Sequence, residues 1–318
     1  LWQMTAKYPP IDLKKIKTYS LKDRKSKVNR NEFARPYKKG AGLKYFINSL
    51  PDILSARNFK EIVDAVVLAN KKNKTIALAM GAHPIKVGLN PIIIDLMKRG
   101  IITHVAMNGA CIVHDFELAY VGRTSEDVDH ELVTGTFGMA EETGRMLNEA
   151  IKEGANNGLG IGRAVGDLLI KRNFRYNNNS ILAAAVRCNV PVTVHVAIGT
   201  DIIHMHPSAD GAAIGAGTMR DFRTFVSMAA GLEKGVYINL GSAVLMPEIF
   251  LKAVSVVRNL GYRLKDFTTV NMDFIQHYRP NTNVVKRPTI GGGRGYAITG
   301  HHEIMLPLLA AAVIEEVS

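Results

Sequence analysis

Thr75-Ile76-Ala77-Leu78-Ala79-Met80-Gly81 is an unbroken apolar run closed by a glycine. A strand with one wet face alternates apolar and polar residues, whereas an uninterrupted run of this length marks a strand covered on both faces. The same unit recurs along the chain. Ile101 to Met107 ends at Asn108-Gly109, Val192 to Ile198 at Gly199, and Val236 to Leu240 at Gly241, while Phe267 to Asn271 forms a fifth run. Between these runs the apolar spacing is helical, as at Ile62, Val63, Val66, Val67 and Ala69 within 59–72. Further helices are predicted over 89–99, 125–133, 139–153, 161–172, 180–187, 247–260 and 303–316. Strands separated by helices pair in parallel through right-handed crossovers. The sequence therefore predicts an α/β fold, a doubly wound, mostly parallel sheet flanked by helices, Rossmann-like in layout. Residues 276–300 read as one long irregular segment.

Composition narrows the organisation. A chain of 318 residues with 47% hydrophobic residues can bury a large core. No linker divides it, so residues 46–318 are expected to form a single domain. The apolar runs fall short of the roughly 18 residues needed to cross a bilayer. Cys111 and Cys188 both lie in apolar segments, which predicts buried thiols and a reducing, cytoplasmic setting. The net charge of +12 is concentrated in residues 1–45, with thirteen Lys/Arg against three Asp/Glu. Such a basic arm could hold RNA, an acidic partner or a neighbouring subunit. No stacking aromatics or RNA-binding signature accompany it, which favours a solvated or subunit-crossing arm.

In doubly wound sheets ligands bind outside the carboxyl ends of the strands, where loops diverge and helix N-termini point amides at anions. The loops to inspect are then 81–88, 108–117, 199–211, 241–248 and 271–303. Gly158-Leu-Gly-Ile-Gly162 has the look of a dinucleotide fingerprint but follows a helix, not a strand. Gly291-Gly-Gly-Arg-Gly295 is expected to precede a helix and carries a cation, so it is either a loop that touches a pyrophosphate or a flexible surface loop. His195, Asp201, His204 and His206 fall within twelve residues, and His301-His302 stands in another strand-end loop. Two chemistries would use them: a metal-dependent hydrolase built on Asp201, His204 and His206, or acid/base work beside a dinucleotide. Several carboxylates at the same edge, Asp115 and Asp201 foremost, would suit a polyamine or another cationic amine.

These segments resemble the deoxyhypusine synthase family. Asn189-Val-Pro-Val-Thr-Val-His-Val-Ala-Ile-Gly-Thr-Asp201 is similar to a Pro-Val strand running into a Thr-Asp pair, and Asn108-Gly-Ala-Cys-Ile-Val-His-Asp115 to a Gly-Gly-Ile loop closed by acids. Arg258-Asn-Leu-Gly261, Arg279-Pro280 and Leu306-Pro-Leu-Leu309 match further elements in order. The resemblance implies a homotetramer that binds NAD, oxidises spermidine to an imine and passes its aminobutyl group on through a lysine. Carried over by position, NAD would contact Gly81, Ala82 and His83, then Asn108 and Gly109, Asp201, Gly241, Ser242, Asn271 and Asp273. Asp115 would hold the amine, His204 or His301 would move protons, and Lys286 would form the imine. The family's Trp-Gly-Lys element is missing, and Lys286 is the lysine available in that stretch. A chain that kept dinucleotide binding without catalysis is the further alternative.

Overall fold

The computed structural model describes residues 7–317. In chain order the elements are α1 (Gly42–Ser49), α2 (Leu54–Lys71), β1 (Ile76–Met80), α3 (His83–Lys86), α4 (Asn90–Lys98), β2 (His104–Asn108), α5 (Gly109–Val121), α6 (Val128–Thr134) and α7 (Glu141–Asn156). They continue with α8 (Ile161–Arg172), α9 (Ile181–Cys188), β3 (Val192–His195), α10 (Gly211–Ala230), β4 (Val236–Leu240), α11 (Leu245–Asn259), β5 (Thr268–Asp273), α12 (Tyr278–Pro280), β6 (Arg294–Thr299) and α13 (His302–Val317). The six strands make one all-parallel sheet in the order β3-β2-β1-β4-β5-β6. This is the doubly wound layout the apolar runs imply.

The two faces of the sheet pack against different partners. Leu78, Met80, Val105, Met107, Ile238, Leu240, Val270 and Met272 point into the larger core. There they meet side chains of α2, α4, α5, α9 and α13. Ala77, Ala79, Ala106 and Tyr237 face the other way, onto Phe225 of α10 and Phe250 of α11. The small alanines let α10 and α11 lie close, and the rings of Tyr237 and Phe250 stack at 3.7 Å. Helix starts follow local chemistry: Asn108 caps α5 through the Cys111 amide, and Ser180 caps α9 through the Ala183 amide. No helix among the described residues is long and apolar enough to cross a membrane.

Two expectations change. The segment 276–300 is not irregular throughout: it carries a π-helical turn over Asn281–Lys286 and then β6. As an edge strand β6 is only half buried, so its side chains lack the continuous apolar run that revealed the other strands. Gly291 to Gly293 consequently feed a strand rather than a helix. Gly292 and Gly293 lie beside Lys265 and Phe267 at the amino end of β5, the edge opposite the expected ligand loops. Gly162 likewise sits against the Val192 carbonyl at the amino end of β3.

Candidate active site

Strand order reverses between β1 and β4, which run side by side in register up to Met80 and Leu240. Loops leaving such a pair diverge to opposite faces and open a crevice between them. Here the crevice is floored by two glycines. The Gly81 amide donates to the Leu240 carbonyl at 3.1 Å, and a Cβ on Gly81 would stand 2.4 Å from the Gly241 oxygen. Gly241 has φ of 63° and lies under the His302 ring, 2.6 Å from where its Cβ would be. Neither position tolerates a side chain, for a steric reason in the first and also a conformational one in the second.

His302 is the central group. It opens α13, is wholly buried, and both of its ring nitrogens lack a hydrogen-bond partner. Its Nε2 stands 3.5 Å from Oδ1 of Asp273, the last residue of β5. The His83 ring meets it edge-on at 5.2 Å, and Phe274 packs against both. Burial, and then the neighbouring His302, push the His83 imidazole below its usual pKa. His301 is exposed at the mouth and stacks on Phe274 with its rings 8° from parallel. Behind the crevice the Asn239 amide donates to Asn271 and to the Ser242 carbonyl, while the Asn271 amide donates to Gln276. Ser242 accepts from the Met246 amide and so orders the entry to α11. Asn271 and Ser242 therefore brace the loop more than they face a ligand.

A second group adjoins the first, because β1 and β2 are in register at Met80 and Met107. Asp201 projects onto the start of α5, with Oδ2 only 2.0 Å from where a Gly109 Cβ would lie, and takes the Ala110 amide. Burial pushes the Asp201 pKa up to about 6, against the pull of that amide. Its Oδ2 and Nε2 of His204 are both buried without partners, 4.0 Å apart. The His204 Nδ1 accepts from the Gly199 and Asp201 amides, which leaves the proton on Nε2, facing the carboxylate. The anion position at the head of α5 is thus filled by the chain's own carboxylate, with Asn108 as the cap.

Several predicted residues go elsewhere. Asp115 does not face the crevice: it is fully buried and accepts from Ser180 Oγ, the Ile181 and Leu182 amides and the Asn90 amide, fastening α9. Burial still outweighs those four donors and raises its pKa to about 6. Lys286 is exposed on the π-helical turn. That turn lies over Thr269 and Gly295, each the second residue of its strand, so the lysine is near the amino edge of the sheet and not in the crevice. His195 points into the core, bonded to Thr193 and packed on Phe225. His206 is turned to Ser208 and Gly144. The Asp201, His204, His206 trio is therefore not assembled, and no group of three or more potential metal ligands occurs among the described residues. His302 and Phe274 are the residues that sequence reasoning passed over, although the His301-His302 pair marked the loop.

No protein-family model and no curated protein matches the chain. Solved structures do. AgrE, seen in a ternary complex with ornithine and NAD+, superposes with a TM-score of 0.53 over 83% of this chain and 34% of its own, at 14% identity. A putative deoxyhypusine synthase from Entamoeba histolytica gives 0.51 over 89% and 96%, at 13% identity. A putative LOR/SDH protein from Methanococcus maripaludis S2 gives 0.50 over 87% and 71%, at 16%. The chain spans about a third of the length of AgrE and of the arginine dihydrolase ArgZ. At these identities the likeness is one of fold: a deoxyhypusine synthase-like, Rossmann-type α/β fold.

Proposed function

We propose that the chain is an NAD-binding enzyme that oxidises an amine at the β1/β4 crevice. The observation that carries the reading is His302, a buried imidazole with no partner on either nitrogen, poised over Gly241 and beside Asp273 where the strand order reverses. An unsatisfied polar group in an apolar wall costs on the order of 1–3 kcal/mol, which a ligand that pairs with it would recover. The fold neighbours include one protein whose structure holds ornithine and NAD+. That supports, for this chain, a dinucleotide together with a cationic amine.

The residues present fit a dinucleotide in part. Gly81 and Gly241 let the two strand ends and the His302 ring close up. In the first turn of α11 the Leu245 amide is left for an anion, since the Met246 amide donates to Ser242 Oγ, Pro247 has no N–H and the Glu248 amide donates to the Val244 carbonyl. The head of α5 offers no such place while Asp201 occupies it. When bound, NAD+ supplies a two-electron acceptor for the hydride on the carbon bearing nitrogen. The protein's part is to make the amine neutral first: His302 takes the proton of the ammonium, and Asp273 steadies the imidazolium so formed. Asp273 and Asp201 would hold the substrate's other positive charges, and His83 with Phe274 would shut out water. Lys286, away from this crevice in the chain, gets no role in transfer. The proposal accordingly stops at the oxidised amine, of the polyamine or basic amino-acid class.

Appearance of NADH absorbance with spermidine, putrescine or ornithine tests it directly. Absence of both NAD+ binding and NADH formation across these amines would sink the reading.

A further inference from the structure

Residues 7–31 are exposed along their whole length. Every hydrogen bond made by residues 7–28 stays within that stretch. The chain is first tied down where Glu32 pairs with Arg57 of α2 and the Arg35 amide reaches the Ser49 carbonyl. Yet the stretch is not a simple polar tail. It interleaves nine Lys/Arg, against Asp12 and Asp23, with large apolar residues. Ile11 is 83% exposed, and Leu13, Ile16, Tyr19 and Leu21 more than half exposed. A segment too apolar to be solvated cheaply and too cationic to be buried alone calls for an acidic, partly apolar surface.

Such a surface lies at the other end of the sheet. Residues 123–142 hold six Asp/Glu against the single Arg123. Glu126, Asp127, Glu131 and Glu142 line an open groove of about 640 Å³ between α5, α6 and α7, with Glu117 on its wall. Glu117 is held by Thr124 and Thr143, and burial raises its pKa. α6 buries none of its residues, and Leu132, Val133 and Met139 are left at least half exposed beside the acids. The arm is rooted on α2, which packs chiefly with α13 and β6 and also reaches β1, β4 and β5, whereas the groove is built on α5, which packs on β2 and β3. Extended at about 3.3 Å per residue, the arm can reach well past its own protomer.

We infer that the groove of α5, α6 and α7 is the docking site for the basic arm of a second copy of this chain, cations of the arm meeting the Glu and Asp of the groove and its apolar residues covering Leu132, Val133 and Met139. Arm and groove stand at opposite ends of one protomer, which allows two copies to exchange arms reciprocally. The contact is electrostatic at its rim and so weakens with salt.

Chymotryptic cleavage at Tyr19 in the full chain reads the docking. Lys14→Glu/Lys15→Glu/Lys17→Glu reverses the arm, and Asp129→Lys/Glu142→Lys reverses one exposed acid of the groove, Glu142, and one on the exposed helix α6 beside it, Asp129. Neither Asp129 nor Glu142 holds a side-chain hydrogen bond in the structure, so the fold should be kept, as circular dichroism would show. Cleavage of the unaltered chain should be slow at high protein concentration and speed up at least about tenfold on dilution or in high salt. Each reversed variant alone should be cut fast. An equal mixture of the two should regain protection, because each then offers what the other lacks. A rate indifferent to dilution, or a groove variant cut like the unaltered chain, overturns the inference. So does a mixture that stays unprotected, or an arm that only added RNA protects.

Discussion

A single missing Cβ shapes the crevice. Gly81 approaches Gly241 so closely that Gly81→Ala must push two strands apart, at a cost of about 1–3 kcal/mol. The expected result is a lowered melting temperature together with loss of NAD+ binding; an alanine variant that binds NAD+ as well as the unaltered chain would show that the dinucleotide lies elsewhere. His302 differs, because its ring fills space as well as carrying nitrogen. His302→Phe keeps the volume and removes both nitrogens. It is expected to lower NADH formation by about 100-fold, within the range for a lost general base, while stability holds or rises because no unpaired polar atom remains. A stable variant with undiminished turnover would dismiss His302 as the base. Sequence reading ranked His301 above it, for the two are adjacent and identical in type. Only the turn into α13 sends one to solvent and the other into the crevice.

At the scale of elements, buried carboxylates fasten helices to strands. Asp115 fastens α9. Asp221 of α10 does the same for α8 and β3, accepting from the Gly162 and Val194 amides. Burial, opposed by those amides, raises the Asp221 pKa from 3.8 to about 7. An acid with a raised folded pKa binds its proton more tightly in the native state. Its contribution to stability is therefore complete below pH 3.8 and is lost as pH climbs toward 7. A displacement from 3.8 to about 7 corresponds to about 4 kcal/mol over that window. Asp221→Asn cannot titrate, so the melting temperature of the unaltered chain relative to the variant should fall steadily from pH 4 to pH 7. A difference flat with pH would mean that Asp221 is ionised throughout. The strands themselves were largely legible, since burial on both faces writes an apolar run into the sequence. β6 was not, because an edge strand needs only half of its residues to be apolar, and its Gly291-Gly-Gly entry imitates a ligand loop.

For the whole molecule the functional proposal makes a linkage prediction. NAD+ at a hundredfold excess over its dissociation constant should stabilise the chain by about 2.7 kcal/mol, seen as a rise in melting temperature that Gly81→Ala abolishes. A melting temperature indifferent to NAD+ would remove the cofactor from the proposal. The order of the apolar runs and helices determined that this is a doubly wound sheet with its ligand loops at one edge, because local periodicity reports which faces are covered. The uneven charge of the first 45 residues was equally plain, being a matter of counting. What only the tertiary structure decided is which side chains meet. Asp115 turns inward to a helix start, Lys286 lies toward the amino edge, Asp201 fills the head of α5, and His302, Asp273, Gly81 and Gly241 converge from four segments far apart in sequence. Spacing along a chain fixes the face on which a residue lies, but convergence depends on strand order and on the turn each loop takes, and neither has a periodic signature to read.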